Sequence, residues 1–339
     1  MRKFLDKYDT LIFDMDGVIT SESAYWDAAA LTVREFLEDK RYLGNGDIDA
    51  LYMHENVQDI RDEIFLGDKL ITYFKGIGVN SNWDLGYITV LVSVIIGTTD
   101  SQKIYEYAET ITDNALDAYD KLARMASEKL GTTFEYCQRN GKLWTDMRDC
   151  FQEWYLGDDM FFESYKRAPY LTGKPGLYRR EKPLIELDTL KCMLEELGET
   201  KRLCVGTGRL YLEIVPLLEM WGVADYFDRN GICNYNHVIT VDSQLDGQFT
   251  KPHPYIFLKA LYGLDYPDSK IVSGDYDVSK IKRTLVVGDA GADILAAKAM
   301  GADFCAVLTG VAGEAGRSYF EEQNAEYILN NVGEMKDGN

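Results

Sequence analysis

The stretch Thr10-Leu11-Ile12-Phe13-Asp14-Met15-Asp16-Gly17-Val18 decides the fold. Thr10 to Phe13 is a short β-prone run, and Asp16-Gly17 reads as the turn that follows it. In an extended chain residues i and i+2 face the same side, so Asp14 and Asp16 both project beyond the strand's carboxyl end. Two carboxylates that close repel each other unless a proton or a cation lies between them. Magnesium, a hard cation that takes oxygen ligands, is the expected neutraliser.

Downstream the texture changes to helix, from about residue 22 to residue 166. Helical spacing is read over 24–37, 48–74, 83–96 and 144–156. A run opening at Asp100 places Ile104, Ala108, Ile111, Ala115, Leu122 and Met125 on one face until Gly131. Pro169, Gly173, Pro175, Gly176 and Pro183 then punctuate the chain as a boundary would. Beyond them helix and strand alternate: helix 185–197, strand 202–206, helix 210–221, helix 254–262, strand 284–288, helix 294–300 and strand 304–308. Short, fully apolar strands between helices imply a parallel sheet covered on both faces. The expected architecture is an α/β, Rossmann-like doubly wound core made of residues 1–20 and 176–339, with a large all-helical cap domain inserted at 21–175.

A chain of 339 residues with 46% hydrophobic and 27% charged residues is an ordinary packed protein rather than a disordered one. Lys plus Arg number 36 against 56 Asp plus Glu, a net charge of −20. Nucleic acid and anionic membranes are poor partners for that field, because both bind through clustered basic residues. A small anionic substrate remains possible if its site supplies local positive charge. The six cysteines form no CxxC pair and read as reduced thiols of a cytoplasmic protein. Asp6, Lys7 and Asp9 interrupt any apolar leader, so no signal peptide is expected, and the most apolar run, 88–96, is about half a membrane span. The composition favours neither a monomer nor a homodimer.

Four places carry chemistry, each at or near the carboxyl end of an expected strand, where open α/β sheets bind ligands. Asp14 and Asp16 are the first. Thr207, in Val205-Gly206-Thr207-Gly208, offers a hydroxyl, and Gly208 lets backbone N–H groups approach an anion. Lys251, opening Lys251-Pro252-His253-Pro254, offers a point charge for a phosphate oxygen. Asp289 follows an apolar strand in Gly288-Asp289-Ala290-Gly291-Ala292-Asp293, giving a further oxygen ligand, with Asp293 one turn on in support. Asp275-Tyr276-Asp277 repeats the acidic spacing without a strand before it and reads as a solvated loop. Arg209 either faces a ligand or caps its own loop. His54 and His237 read as surface or core histidines, and His253 as structural. Asn80-Ser81-Asn82-Trp83-Asp84 reads as a helix N-cap rather than a substrate-reading loop. The 23 tyrosines, mostly in the helical block, read as packing.

With these motifs the sequence resembles the haloacid dehalogenase (HAD) superfamily of hydrolases over the α/β core, about half the chain. Phe13-Asp14-Met15-Asp16-Gly17-Val18, the Thr207 strand end, Lys251-Pro252-His253-Pro254 and Val286-Val287-Gly288-Asp289-Ala290-Gly291-Ala292-Asp293 carry the resemblance. It is similar in particular to the branch containing β-phosphoglucomutase and phosphoglycolate phosphatase, which insert a helical cap after the first strand. The insertion here is larger than that branch's usual cap. The resemblance implies Asp14 as nucleophile, Asp16 as general acid/base, Thr207, Gly208 and Lys251 as phosphate-binding residues, and Asp14, Asp16 and Asp289 around magnesium with Asp293 in support. It also implies a phosphatase that hydrolyses a small phosphorylated metabolite through an aspartyl phosphate. Such an intermediate must be shielded from bulk water, and the small or turn-forming residues near 20–23 and 173–183 could act as hinges, so the inserted block is expected to be a mobile lid. A phosphomutase is the first alternative. A metal-independent 2-haloacid dehalogenase would not need Asp16, and a non-catalytic binding module would be expected to lose a carboxylate or the lysine.

Overall fold

The computed structural model describes residues 3–79 and 81–336. They divide into two compact units, one made of residues up to Glu22 together with those from Glu181 onward, the other of Ser23–Arg180.

The first unit is built on a parallel sheet of six strands among the described residues: β1 (Thr10–Phe13), β2 (Arg202–Gly206), β3 (Ile232–Cys233), β4 (Thr284–Gly288), β5 (Asp303–Val307) and β6 (Tyr327–Leu329). Their spatial order is β3-β2-β1-β4-β5-β6. The chain winds outward from β1 in one direction and then in the other, so β1 lies at the topological switch point where such sheets open a crevice. Phe13 lies in register with Val205 on one side and with Val287 on the other. Asp14, Thr207 and Asp289 therefore all leave the same edge of the sheet.

The strands bury both faces, as period-two alternation in a covered sheet requires. Leu11, Phe13, Leu203, Val205, Leu285 and Val287 pack with Leu190, Leu194, Ile214 and Leu218 of the helices Leu187–Gly198 and Tyr211–Trp221. Ile12, Cys204, Val286 and Phe304 face the opposite way, onto Phe257, Leu261, Ile294 and Ala297 of the helices Tyr255–Tyr262 and Gly291–Met300. β1 ends at Phe13, so Asp14, next in line, stands beyond the strand's carboxyl end at the crevice.

The second unit is helical. Its central helix, Asn82–Ile96, is buried on nearly every side, so it behaves as a core helix rather than an amphipathic one. Ala28, Ala29 and Ala30 in the helix Ser23–Glu38 are fully buried, and small side chains there let the helices approach closely. Two continuous runs in the sequence reading are in fact broken. The 48–74 run forms three helices, Ala50–Glu55, Val57–Ile64 and Lys69–Gly76, and the Asp100 run forms Ser101–Ala108 and Ala115–Leu130. In the second case Asn114 caps a new helix, its side chain accepting from the Leu116 and Asp117 N–H groups. Ser81 caps the central helix as expected, whereas Asp84 turns away to Arg139 and the Trp144 indole; Asn80 lies outside the described residues. Deep in this unit Lys174 Nζ bridges Glu35 and Glu153 at 2.9 and 2.7 Å with all three side chains fully buried, a charged core that periodicity does not reveal. Among the described residues no helix is long and apolar enough to cross a membrane.

Candidate active site

The loop after β1 is shaped by its own backbone. Gly17 adopts φ +70°, which favours glycine, and its N–H donates to the Thr20 carbonyl at 2.8 Å. Thr309, just past β5, donates its hydroxyl to the Gly17 carbonyl at 2.5 Å. Gly17 and Gly310 also flank the Asp289 carboxylate so closely that a Cβ on either would overlap its Oδ2.

Asp14 and Asp16 leave this loop into different surroundings. Lys251 Nζ stands 2.9 Å from Asp14 Oδ1 and 2.8 Å from Asp293 Oδ1, and it lies 4.8 Å from the centre of the Phe257 ring. Burial pulls this ammonium toward neutrality, but Asp14 and Asp293 outweigh it and hold the charge. Asp16 instead presents Oδ1 to Arg209, which donates from Nε at 2.9 Å and Nη2 at 2.6 Å, and to the Thr20 hydroxyl at 3.1 Å. Arg209 Nη1 reaches the buried Glu181 at 2.9 Å. The guanidinium is thus occupied by two carboxylates, a role that neither sequence reading of Arg209, facing a ligand or capping its loop, named.

Carboxylate oxygens of Asp14, Asp289 and Asp293 converge within 4.8 Å of one another, the kind of grouping that holds a metal ion. The sequence placed Asp16 in that set and Asp293 behind it. The structure brings the Asp293 carboxylate into the group and turns Asp16 Oδ1 to Arg209. The cause is helix geometry: Asp293, in the first turn of Gly291–Met300, turns back so that Oδ2 accepts the Ala290 N–H at 3.2 Å and Oδ1 faces Lys251.

Electrostatics test whether a cation fits. Burial, opposed by Lys251 and reinforced by Asp293 and Asp16, pushes the Asp14 carboxyl up to about 7. Burial, then Asp293 and Asp14, raises Asp289 well above the usual carboxylate range. One ammonium does not balance three converging carboxylates. An all-oxygen donor set with excess negative charge suits a hard divalent cation, so the residues fit magnesium.

Thr207 is fully buried, and its hydroxyl oxygen accepts the Arg209 N–H at 3.1 Å, leaving its proton for another acceptor. Gly208 is exposed, with open space where a Cβ would stand. Asp275 and Asp277 lie exposed outside regular structure. His237 Nδ1 accepts the Asn234 N–H at 3.2 Å and His253 Nδ1 that of Tyr255 at 3.1 Å, so both support local turns. Sequence reading missed Glu181, Thr309 and Gly310. The last two follow an expected strand, and the strand-end rule used for the other four places would have found them. Glu181 carries no local signal.

A parallel α/β core of order β3-β2-β1-β4-β5-β6 thus gathers carboxylates, a lysine and a buried threonine into one carboxylate-centred site at a strand-end crevice. Residues 248–335 match the family model described as HAD-hydrolase-like, a segment that contains Lys251, Asp289 and Asp293. That segment, about a quarter of the chain, is similar to HAD-type hydrolase domains. The chain is similar along its whole length to the X-ray structure of a Northeast Structural Genomics Consortium target, at 29% identity and a TM-score of 0.79, covering 97% of each chain. Looser likenesses, which add nothing to the fold argument, include a haloacid dehalogenase-like family hydrolase from Streptococcus pneumoniae (12% identity, TM-score 0.47, 97% of this chain and 96% of that one). A hydrolase from Pseudomonas syringae is another (18%, 0.40, 95% and 94%). No curated protein matches the sequence.

Proposed function

We propose that the chain is a magnesium-dependent phosphatase that hydrolyses a small phosphorylated metabolite through an aspartyl phosphate on Asp14. The observation that supports this best is the position of the Asp14 carboxylate, at the switch point, 2.9 Å from Lys251 and grouped with Asp289 and Asp293.

Asp14 attacks phosphorus and the bond to the leaving oxygen breaks, so one difficult displacement becomes two easier ones. Lys251 and the Thr207 hydroxyl hold the phosphoryl oxygens, the lysine offsetting the repulsion between an anionic nucleophile and an anionic substrate. Asp14, Asp289 and Asp293 would hold magnesium, which supplies further charge neutralisation when bound. Asp16 gives its proton to the leaving oxygen and then takes one from the water that attacks the acyl phosphate, restoring Asp14 and releasing phosphate. A positioned acid/base of this kind is worth about 10²–10⁴-fold. The net charge of −20 and the scarcity of basic residues support a small soluble substrate rather than nucleic acid or a membrane surface.

Phosphate release from a panel of small phosphoesters tests the reading. Turnover should vanish in chelator and return with magnesium. Undiminished turnover in chelator would refute the metal assignment.

A further inference from the structure

We propose that Arg209, anchored by Glu181, positions Asp16 for proton transfer and leaves its Oδ2 for the reacting atoms; the inference rests on the phosphatase reading. Three donors converge on a single oxygen of Asp16: Arg209 Nε at 2.9 Å, Arg209 Nη2 at 2.6 Å and the Thr20 hydroxyl at 3.1 Å, all on Oδ1. None of them engages Oδ2. A carboxylate gripped by one oxygen is held in direction while the other stays available, which is what a group that must give and take a proton requires.

The grip is rigid for a physical reason. The Arg209 side chain is only 1% exposed, and a guanidinium so buried is tolerated only when paired. The Glu181 carboxylate supplies the second partner at 2.9 Å from Nη1 and is itself fully buried. The planar fork cannot satisfy both carboxylates in more than one orientation. The backbone is tied as well: the Arg209 N–H donates to Thr207 Oγ1, and Nη2 reaches the Ser21 carbonyl at 3.4 Å. One residue thus joins the phosphate-binding hydroxyl, the acid/base and the start of the return chain at Glu181. Nothing in the motif resemblance assigns that role to an arginine two residues beyond the threonine.

The test compares two leaving groups. The kcat/KM ratio reports steps through release of the first product, so it isolates Asp16 acting as an acid. An alkyl phosphate needs its leaving oxygen protonated, whereas p-nitrophenyl phosphate releases a stable anion. Arg209→Met should lower kcat/KM for the alkyl substrate by about 10²-fold and for p-nitrophenyl phosphate by less than about 10-fold. Arg209→Lys should recover part of the difference. Glu181→Gln, which retains a hydrogen-bonding side chain, should give a smaller loss with the same substrate bias, and it carries the test with Arg209→Lys if Arg209→Met does not fold. Adding Arg209→Met to Asp16→Ala should cost little more than Asp16→Ala alone. Equal losses on both substrates, or additive losses in the double variant, would overturn the positioning role. A wild-type protein that releases phosphate from neither substrate, with magnesium present, would instead overturn the phosphatase reading.

Discussion

Replacing Asp14 by asparagine should abolish turnover and, in the absence of metal, stabilise the fold. The stabilisation follows from the crowding of carboxylates around Lys251. Burial, with Asp293 and Asp16 adding repulsion that Lys251 only partly offsets, pushes the Asp14 carboxyl up to about 7 from its ordinary 3.8. Between those values the folded protein keeps a proton that the unfolded chain has released, so stability falls as pH rises through that window and stays low above it. A shift of about 3 units at about 1.4 kcal/mol each sets a ceiling of about 4 kcal/mol at pH 8. From pH 5 to pH 8, with about two units of the window crossed, the ceiling on the change is about 3 kcal/mol. Relaxation and water entry at a strand-end crevice reduce this, and we expect a gain that grows by about 1–2 kcal/mol over that range. Asparagine preserves the shape and has no charge to desolvate, so the part of the slope that Asp14 contributes disappears in the variant, while the part from Asp289 remains.

Urea unfolding of both proteins at pH 5 and pH 8, in chelator, measures this directly through the midpoint and slope. Asp14→Asn should unfold at higher urea than the wild type at pH 8, with a smaller advantage at pH 5. An advantage of equal size at both pH values would refute the electrostatic account, as would a variant less stable than the wild type at pH 8. Retention of most of the activity by Asp14→Asn would refute its role as nucleophile.

Gly310→Ala places a methyl group onto Asp289 Oδ2, so it should weaken magnesium activation by about 10-fold or more, read as a raised magnesium concentration for half-maximal activity. The small-metabolite reading predicts that a sugar phosphate or other small phosphoester is turned over far better than a phosphopeptide; similar kcat/KM on both would refute it.

The sheet was legible because its inner strands are written in the plainest code a sequence has. Thr10–Phe13, Arg202–Gly206 and Thr284–Gly288 are short apolar runs ending in glycine or aspartate, and burial on both faces leaves little room for another pattern. The edge strands Ile232–Cys233 and Tyr327–Leu329 escaped notice, since two or three residues are too few to show a period. The helix breaks at 56, 65–68 and 109–114 escaped because the apolar spacing runs on through them, and at the last of them capping by Asn114 restarts the chain. At the site, Asp14, Thr207, Lys251 and Asp289 could be read because each follows an element that aims it. The partner of Asp16 could not, because Arg209 and Glu181 lie far from it in sequence and meet it only through the fold.

That hidden pairing bears on how two carboxylates two residues apart divide their labour. Spacing alone makes Asp14 and Asp16 equivalent, and the structure separates them by giving each a different cation. Asp14 faces an ammonium shared with Asp293, beside Asp289, where excess negative charge suits a cation and, on the proposed reading, an anionic nucleophile meets a phosphoryl group. Asp16 faces a guanidinium shared with Glu181, outside the metal-binding group, where a fixed fork sets its direction. Different environments, rather than different side chains, are a general means of assigning acid, base and nucleophile roles within one site. Exchanging the environments should therefore be more damaging than weakening either one. Lys251→Met should remove the offset that Asp14 needs, slowing phosphoryl transfer from alkyl and aryl substrates alike. Arg209→Met should penalise the alkyl substrate selectively, so the two variants distinguish the nucleophile's cation from that of the acid/base.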